Sequence, residues 1–103
     1  MNAGYYVYIT ANPTKTALYT GLTNDLHTRL RQHFENRGTK STFAGRYSCY
    51  QLLYFEHFQD VNQAIAREKE IKGWTREKKN MLITQLNPHW QPIDPTAWQD
   101  GAQ

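Results

Sequence analysis

The chain opens with an alternating run of β-forming residues: Tyr5 to Thr10 put Tyr5, Val7 and Ile9 on one face of an extended strand and Tyr6 and Tyr8 on the other. The turn material Asn12-Pro13-Thr14-Lys15 follows, and Ala17 to Gly21 form a second β-like run, so the two read as a hairpin. After Gly21 the period lengthens. Leu26, Leu30 and Phe34 recur at helical spacing, with Thr23 or Asn24 as N-cap and Asp25 in the first turn, predicting a helix that runs to about Asn36. Arg29 and His33 fall one turn apart at the border of that apolar stripe, so both can look toward the sheet.

Gly38 to Ser48 reads as a polar, glycine-containing loop, and Tyr50 to Phe58, apolar on both faces, as a strand in the interior of the sheet. Asp60 caps a predicted helix from Val61 to about Lys72 that closes near Gly73-Trp74. Thr75 caps a last helix carrying Met81, Leu82, Ile83 and Leu86, which Asn87-Pro88 stops. From Gln91 to Gln103 the chain turns polar and proline-containing and is expected on the surface or frayed, although Trp98 there could make a contact. Without internal repeats, low-complexity runs or a linker, the organisation predicted is one domain over residues 1–90 followed by a polar tail over 91–103.

One position breaks the pattern. At ~100° per residue from Ala64, Val61, Ile65 and Ile71 define the inward arc of the penultimate helix, and Glu68 falls inside it at roughly 40°, whereas Glu70 faces solvent at roughly 240°. Burying a carboxylate costs several kcal/mol unless it is paired or binds a metal. Glu68 therefore needs a partner, either a basic residue such as Arg29 or a cation.

Composition narrows the setting. With 103 residues, 39% hydrophobic and 14% aromatic, the chain suits one globular core. Cys49 is its only cysteine, which excludes an intramolecular disulfide, a Cys/His zinc cluster and a redox pair, and points to a reducing cytoplasm. The N-terminus lacks the pattern of a signal peptide and no stretch has the length of a membrane span, so no membrane partner is expected. The net charge of +3 is weak by itself, but its distribution is uneven. Lys69, Lys72, Arg76, Lys78 and Lys79 crowd one stretch and Arg29, Arg31, Arg37 and Lys40 another, and the two could converge on a phosphate backbone. His27, His57 and His89 show no ligand spacing and read as surface or structural.

The segments Tyr6-Val7-Tyr8 and Tyr19-Thr20-Gly21, then Asn24-Asp25-Leu26 with Arg29-Leu30 and His33, resemble the GIY-YIG nuclease superfamily. The run Ala64 to Trp74 around Glu68, with Asn87-Pro88-His89-Trp90, resembles its stand-alone bacterial members, so the likeness spans Tyr5 to Trp90. Two positions depart from the family: Tyr6 stands where the first signature has glycine, and Thr20 where the second has isoleucine. Both are scaffold positions.

The resemblance implies an α+β fold, a small three-stranded antiparallel sheet flanked by helices in the order β-β-α-β-α-α, as does the pattern above. It further implies a metal-dependent DNA endonuclease in which Tyr8 is general base, Tyr19 and His33 position it and the water, Arg29 contacts the scissile phosphate, Glu68 binds one divalent cation and Asn87 is supporting. With one protein carboxylate the cation expected is Mg²⁺ or Mn²⁺, keeping waters in its shell. Arg37, Lys40, Lys69, Lys72, Arg76 and Lys79 are the candidate nucleic-acid contacts. Branched or damaged DNA is the candidate substrate, and target choice would be low or supplied by a protein partner. The competing readings are a non-cleaving nucleic-acid-binding module or repair-assembly subunit and, more distantly, an interaction protein that does not bind nucleic acid.

Overall fold

The computed structural model describes residues 4–95. Strands β1 (Tyr5–Ala11) and β2 (Leu18–Thr23) form the expected hairpin, followed by α1 (Leu26–Glu35), α2 (Phe43–Arg46), β3 (Gln51–Phe58), α3 (Val61–Lys72) and α4 (Arg76–Leu86). The sheet is antiparallel in the order β2-β1-β3, so β1 is central and Tyr8 lies opposite Gly21 on one side and Phe55 on the other.

Alternation along β1 sorts the core into two layers. Val7 and Ile9 point toward α3 and α4, where Ala64, Ile71 and Ile83 are fully buried. Burying each isoleucine is worth roughly 1.5–3 kcal/mol. Tyr8 points the other way and packs with Leu26 of α1 and Leu52 of β3, with Tyr6, Tyr19, Leu30, Phe55 and Ile93 around them.

Asp25 itself caps α1, with its carboxylate accepting from the Thr28 amide at 3.1 Å and the Thr28 hydroxyl at 2.8 Å, so the cap falls after both Thr23 and Asn24, the positions expected. Asp60 and Thr75 cap α3 and α4 as the sequence indicates. Among the described residues no helix is long and apolar enough to cross a membrane.

Three expectations change. β3 is an edge strand rather than an interior one. Its two-faced apolarity has another cause: Leu53 is the extra residue of a bulge between the pairs Ile9↔Tyr54 and Thr10↔Leu52, sending Leu53 and Tyr54 into one layer and Leu52 and Phe55 into the other. The exposed edge is partly covered because the Ile93 amide donates to the Leu52 carbonyl at 2.8 Å, so the chain past Trp90 stays on the sheet.

The loop Gly38 to Ser48 contains the one-turn helix α2, capped by Thr42 and locked to the end of α1 by a 2.7 Å bond from the Gly38 amide to the Gly45 carbonyl. Phe34, counted in the apolar stripe, is 46% exposed because the last turn of α1 meets Tyr50 and Arg37 rather than the sheet. Met81 and Leu86 of α4 are likewise exposed. Trp98 lies outside the described residues.

Candidate active site

The site begins with a missing side chain. A Cβ on Gly21 would lie 2.5 Å from both Cζ and Oη of Tyr8 and 2.9 Å from Cε2 of Tyr19. The end of the Tyr8 ring therefore passes directly over the backbone of β2, one of the two edge strands, and only glycine leaves it that room. Gly21 belongs to the signature segment, but the sequence alone gave it no task; the close approach of the two tyrosines supplies one.

Helix α1 brings the next two groups. Capped at Asp25, it puts Arg29 and His33 on the turn facing Tyr8, and the Tyr8 hydroxyl lies 2.7 Å from His33 Nε2. Tyr19 packs edge-on against the imidazole at a centroid distance of 5.3 Å and tilts against Tyr8 at 6.2 Å. Burial raises the pKa of Tyr8 well above that of a free phenol, Tyr19 and the Glu68 charge add to the rise, and the Arg29 guanidinium beside the hydroxyl opposes it. Burial, and secondarily the Arg29 charge, hold His33 below the ordinary histidine value of 6.5. The imidazole is thus neutral at neutral pH, and in the tautomer that leaves Nε2 bare the Tyr8 hydroxyl donates to it.

Glu68 is turned inward as its helical position indicates. Its side chain is 18% exposed, and its charge is felt by Tyr8 although α3 packs mainly on the opposite layer, because the phenol reaches across Gly21 toward the sheet edge. Its ion-pair partner is not Arg29 but Lys72, one turn on, at 2.9 Å. Lys72 is itself 51% exposed, so the pair is close to a surface contact, worth about 0–1 kcal/mol and readily broken. Glu70 is on the solvent side as expected, bonded to Arg67 at 2.9 Å.

The remaining candidates are dispersed. Asn87 is buried, and its amide donates to the carbonyls of Leu53 at 3.1 Å and Gln91 at 2.7 Å while accepting from the Gln91 amide, fastening the end of α4 to β3. It supports the scaffold and is bonded to none of the catalytic candidates in these contacts. Arg76 is engaged by the hairpin turn, donating to the carbonyls of Thr16 at 3.0 Å and Lys15 at 2.8 Å. Lys69 and Lys40 are exposed and Lys79 half-buried. Arg37 lies over the Phe34 ring at 3.7 Å. His27 and His89 are exposed, and His57 packs against Tyr6.

A cleft of about 250 Å³ opens beside the cluster. Tyr19, Arg29 and His33 of the cluster line it together with Gln32, Asn36, Thr42, Ala44 and Gly45. Gly45 is a second enforced glycine: a Cβ there would sit 2.6 Å from the Thr39 carbonyl oxygen, so α2 closes on α1 only without one.

The family model of the GIY-YIG catalytic domain matches residues 4–81. A UPF0213 protein of Haloquadratum walsbyi is 45% identical over 92 residues, covering 89% of this chain and all of its own. One from Staphylococcus aureus is 37% identical over 79 residues, covering 77% of this chain and 93% of its own. The solution NMR structure of a UPF0213 protein from Bacillus halodurans superposes with a TM-score of 0.51 at 29% identity, covering 94% of this chain and 97% of that one.

Proposed function

The chain belongs to the GIY-YIG catalytic domain family, and from that premise we propose that it is a metal-dependent DNA endonuclease acting in the cytoplasm, with Tyr8, Tyr19, Arg29, His33 and Glu68 as its machinery. The observation that carries the reading is the 2.7 Å contact between the Tyr8 hydroxyl and a neutral His33, beside a guanidinium and under the charge of an inward carboxylate.

The donor set fits a sparsely held hard cation. Among the described residues no group of three or more His, Cys, Asp or Glu could form a ligand cage. Glu68 would be the sole protein ligand, with water and phosphate completing the shell, which suits Mg²⁺ or Mn²⁺ and not zinc. Such an ion supplies charge against the phosphoryl oxygens and lowers the barrier to attack.

The protein's own groups do the rest. Arg29, whose fork of N–H donors matches phosphate geometry, holds the scissile group and stabilises its developing charge. Tyr8 is no resting phenolate, because burial keeps its proton on. It can take a proton from the attacking water only while passing its own to His33 Nε2, so the water's oxygen bonds phosphorus as the imidazole becomes cationic, the bond from phosphorus to the leaving sugar oxygen breaks, and that oxygen takes a proton from solvent. Tyr19 braces the imidazole and lines the cleft where the strand would lie. Lys72 must release Glu68 for cation binding, and being half exposed it can then turn to a backbone phosphate. Lys40, Lys69 and Lys79 extend that contact, whereas Arg76 is the least available of the basic candidates.

The test is nicking of supercoiled, branched and damaged DNA with Mg²⁺ or Mn²⁺. We expect metal-dependent cleavage in the parent protein and none in folded Glu68→Ala or Arg29→Ala; the same cleavage in purified Glu68→Ala rejects the assignment. The raised Tyr8 pKa favours a second reading, a module or repair-assembly subunit that binds DNA without cutting it. A folded parent that binds these DNAs and nicks none of them with either metal would establish that alternative. Target choice would in either case come from DNA structure or from a protein partner.

A further inference from the structure

The described residues carry three large exposed aromatic side chains, and all lie in one segment: Phe34 at 46%, Tyr47 at 46% and Phe43 at 52% exposure. Phe43 and Tyr47 bracket α2 and lean together at a centroid distance of 4.7 Å, tilted by 47°, each leaving about half its surface to solvent. The Phe34 ring meets Tyr50 edge-on at 5.1 Å and carries the Arg37 guanidinium over its face at 3.7 Å. That guanidinium is fixed in place by a 2.6 Å bond from Nη1 to the Phe34 carbonyl. Both groups stand outside the machinery described above.

The surrounding charge is mainly positive. Residues 31–50 hold four basic side chains, Arg31, Arg37, Lys40 and Arg46, against the single acid Glu35, which Arg31 approaches at 4.0 Å. The surface adjoins the cleft along the chain: Thr42 and Ala44, which line the cleft, flank Phe43, and Asn36, which also lines it, precedes Arg37. Exposed aromatic faces interleaved with cations stack unpaired bases while pairing their phosphates; protein interfaces share such aromatics and arginines, and the neighbourhood of the cleft is what favours a strand here.

We infer that this surface binds an unpaired stretch of DNA leading to the cleft, with bases stacking on Phe43, Tyr47 and the outer face of Arg37, so that the preferred substrate has a single-stranded arm beside the cut. The inference rests on the endonuclease reading for its placement but not for its test. Duplex bases present no free faces and gain only the phosphate contacts of Lys40, Arg46 and their neighbours.

The test is fluorescence anisotropy in EDTA with a labelled mixed-sequence oligodeoxynucleotide of about 12 nucleotides, a length one small domain can cover, alone and annealed to its complement. Phe43→Leu/Tyr47→Leu keeps apolar bulk while removing the aromatic faces, and a thermal melt confirms that it folds. Single-strand affinity should fall about 5- to 100-fold with duplex affinity changed by no more than about two-fold. Unchanged single-strand binding, or an equal loss on both forms, overturns the inference. A parent that binds the strand but never nicks DNA overturns the endonuclease reading alone; a parent that nicks, with binding unaltered in the double variant, overturns this one alone.

Discussion

Tyrosine, glutamate and arginine are grouped twice in this fold, once as Tyr54, Glu56 and Arg67 bonded between β3 and α3 and once as Tyr8, Glu68 and Arg29, and the two groups differ in how completely the acid is satisfied. In the α3 layer, Arg67 grips Glu56 with two nitrogens, Nε to Oε1 at 2.9 Å and Nη2 to Oε2 at 2.8 Å, while the Tyr54 hydroxyl donates to the same carboxylate. The remaining guanidinium nitrogen reaches Glu70 at 2.9 Å, and its plane lies 5.2 Å from Trp74. Burial works to raise the Glu56 pKa, but the bonds from Arg67 and Tyr54 together overcome it and hold the group below the usual carboxylate range. The cluster is closed, and its product is stability.

The other group is open. Glu68 is as shielded as Glu56, 18% against 20% exposed, yet its ion-pair partner is a half-exposed lysine one turn away. Tyr8 is bonded to a neutral imidazole rather than to an acid, and Arg29 lines a cleft. Equal burial with unequal satisfaction separates a carboxylate that holds the fold from one left available to a ligand.

The largest effect should come from Gly21→Ala, which forces Tyr8 and Tyr19 off their positions without removing any polar group. An ångström of misplacement costs about 100-fold in rate, so kcat for nicking should drop by that order in protein shown to be folded. A rate within a few-fold of the parent would mean that the close approach over β2 is not used.

Next in size, Arg67→Met should destabilise the fold and spare the site. Breaking a fully buried pair costs 3–5 kcal/mol, and these side chains retain some solvent contact, so about 1–2 kcal/mol and a Tm lower by several degrees are expected, with nicking unchanged below the transition. The lowered Glu56 pKa means that its contribution is present above the unfolded carboxylate value and is lost as pH falls through the folded one. Lost nicking at full stability would erase the distinction between the clusters.

The smallest effect is a titration. Because the folded protein holds the His33 pKa below 6.5, the unfolded chain binds that proton more readily, and His33 withdraws stability as pH drops through 6.5 toward the folded value. The nicking rate should hold below pH 6.5 and fail only as His33 becomes charged. An NMR titration of the metal-free protein should place His33 below 6.5, and Arg29→Gln should move it upward by removing a neighbouring cation. No movement would separate Arg29 from the imidazole.

Much of this was legible in the residues. The caps Asp60 and Thr75, the hairpin and the inward turn of Glu68 follow from local chemistry and helical period, which act over a few residues and leave a pattern. What was hidden depends on tertiary neighbours. Strand order leaves no mark on periodicity, so β3 passed for an interior strand when a bulge at Leu53 explained its composition. A single helical turn such as α2 is too short for a repeat and exists through its lock onto Gly38 and the end of α1. Arg76 looked like any basic residue of a charged stretch until the hairpin turn lay beneath it. Lys72 as the partner of Glu68 was readable from their spacing of four, a common helical pair. The helical pattern instead offered Arg29 as the basic partner.

The contrast between the two acids is tested most directly by Mn²⁺ binding, followed by electron paramagnetic resonance, in the parent, Glu68→Gln and Glu56→Gln. One bound ion should appear in the parent, persist in Glu56→Gln and vanish in Glu68→Gln. Equal binding by parent and Glu68→Gln would contradict the account.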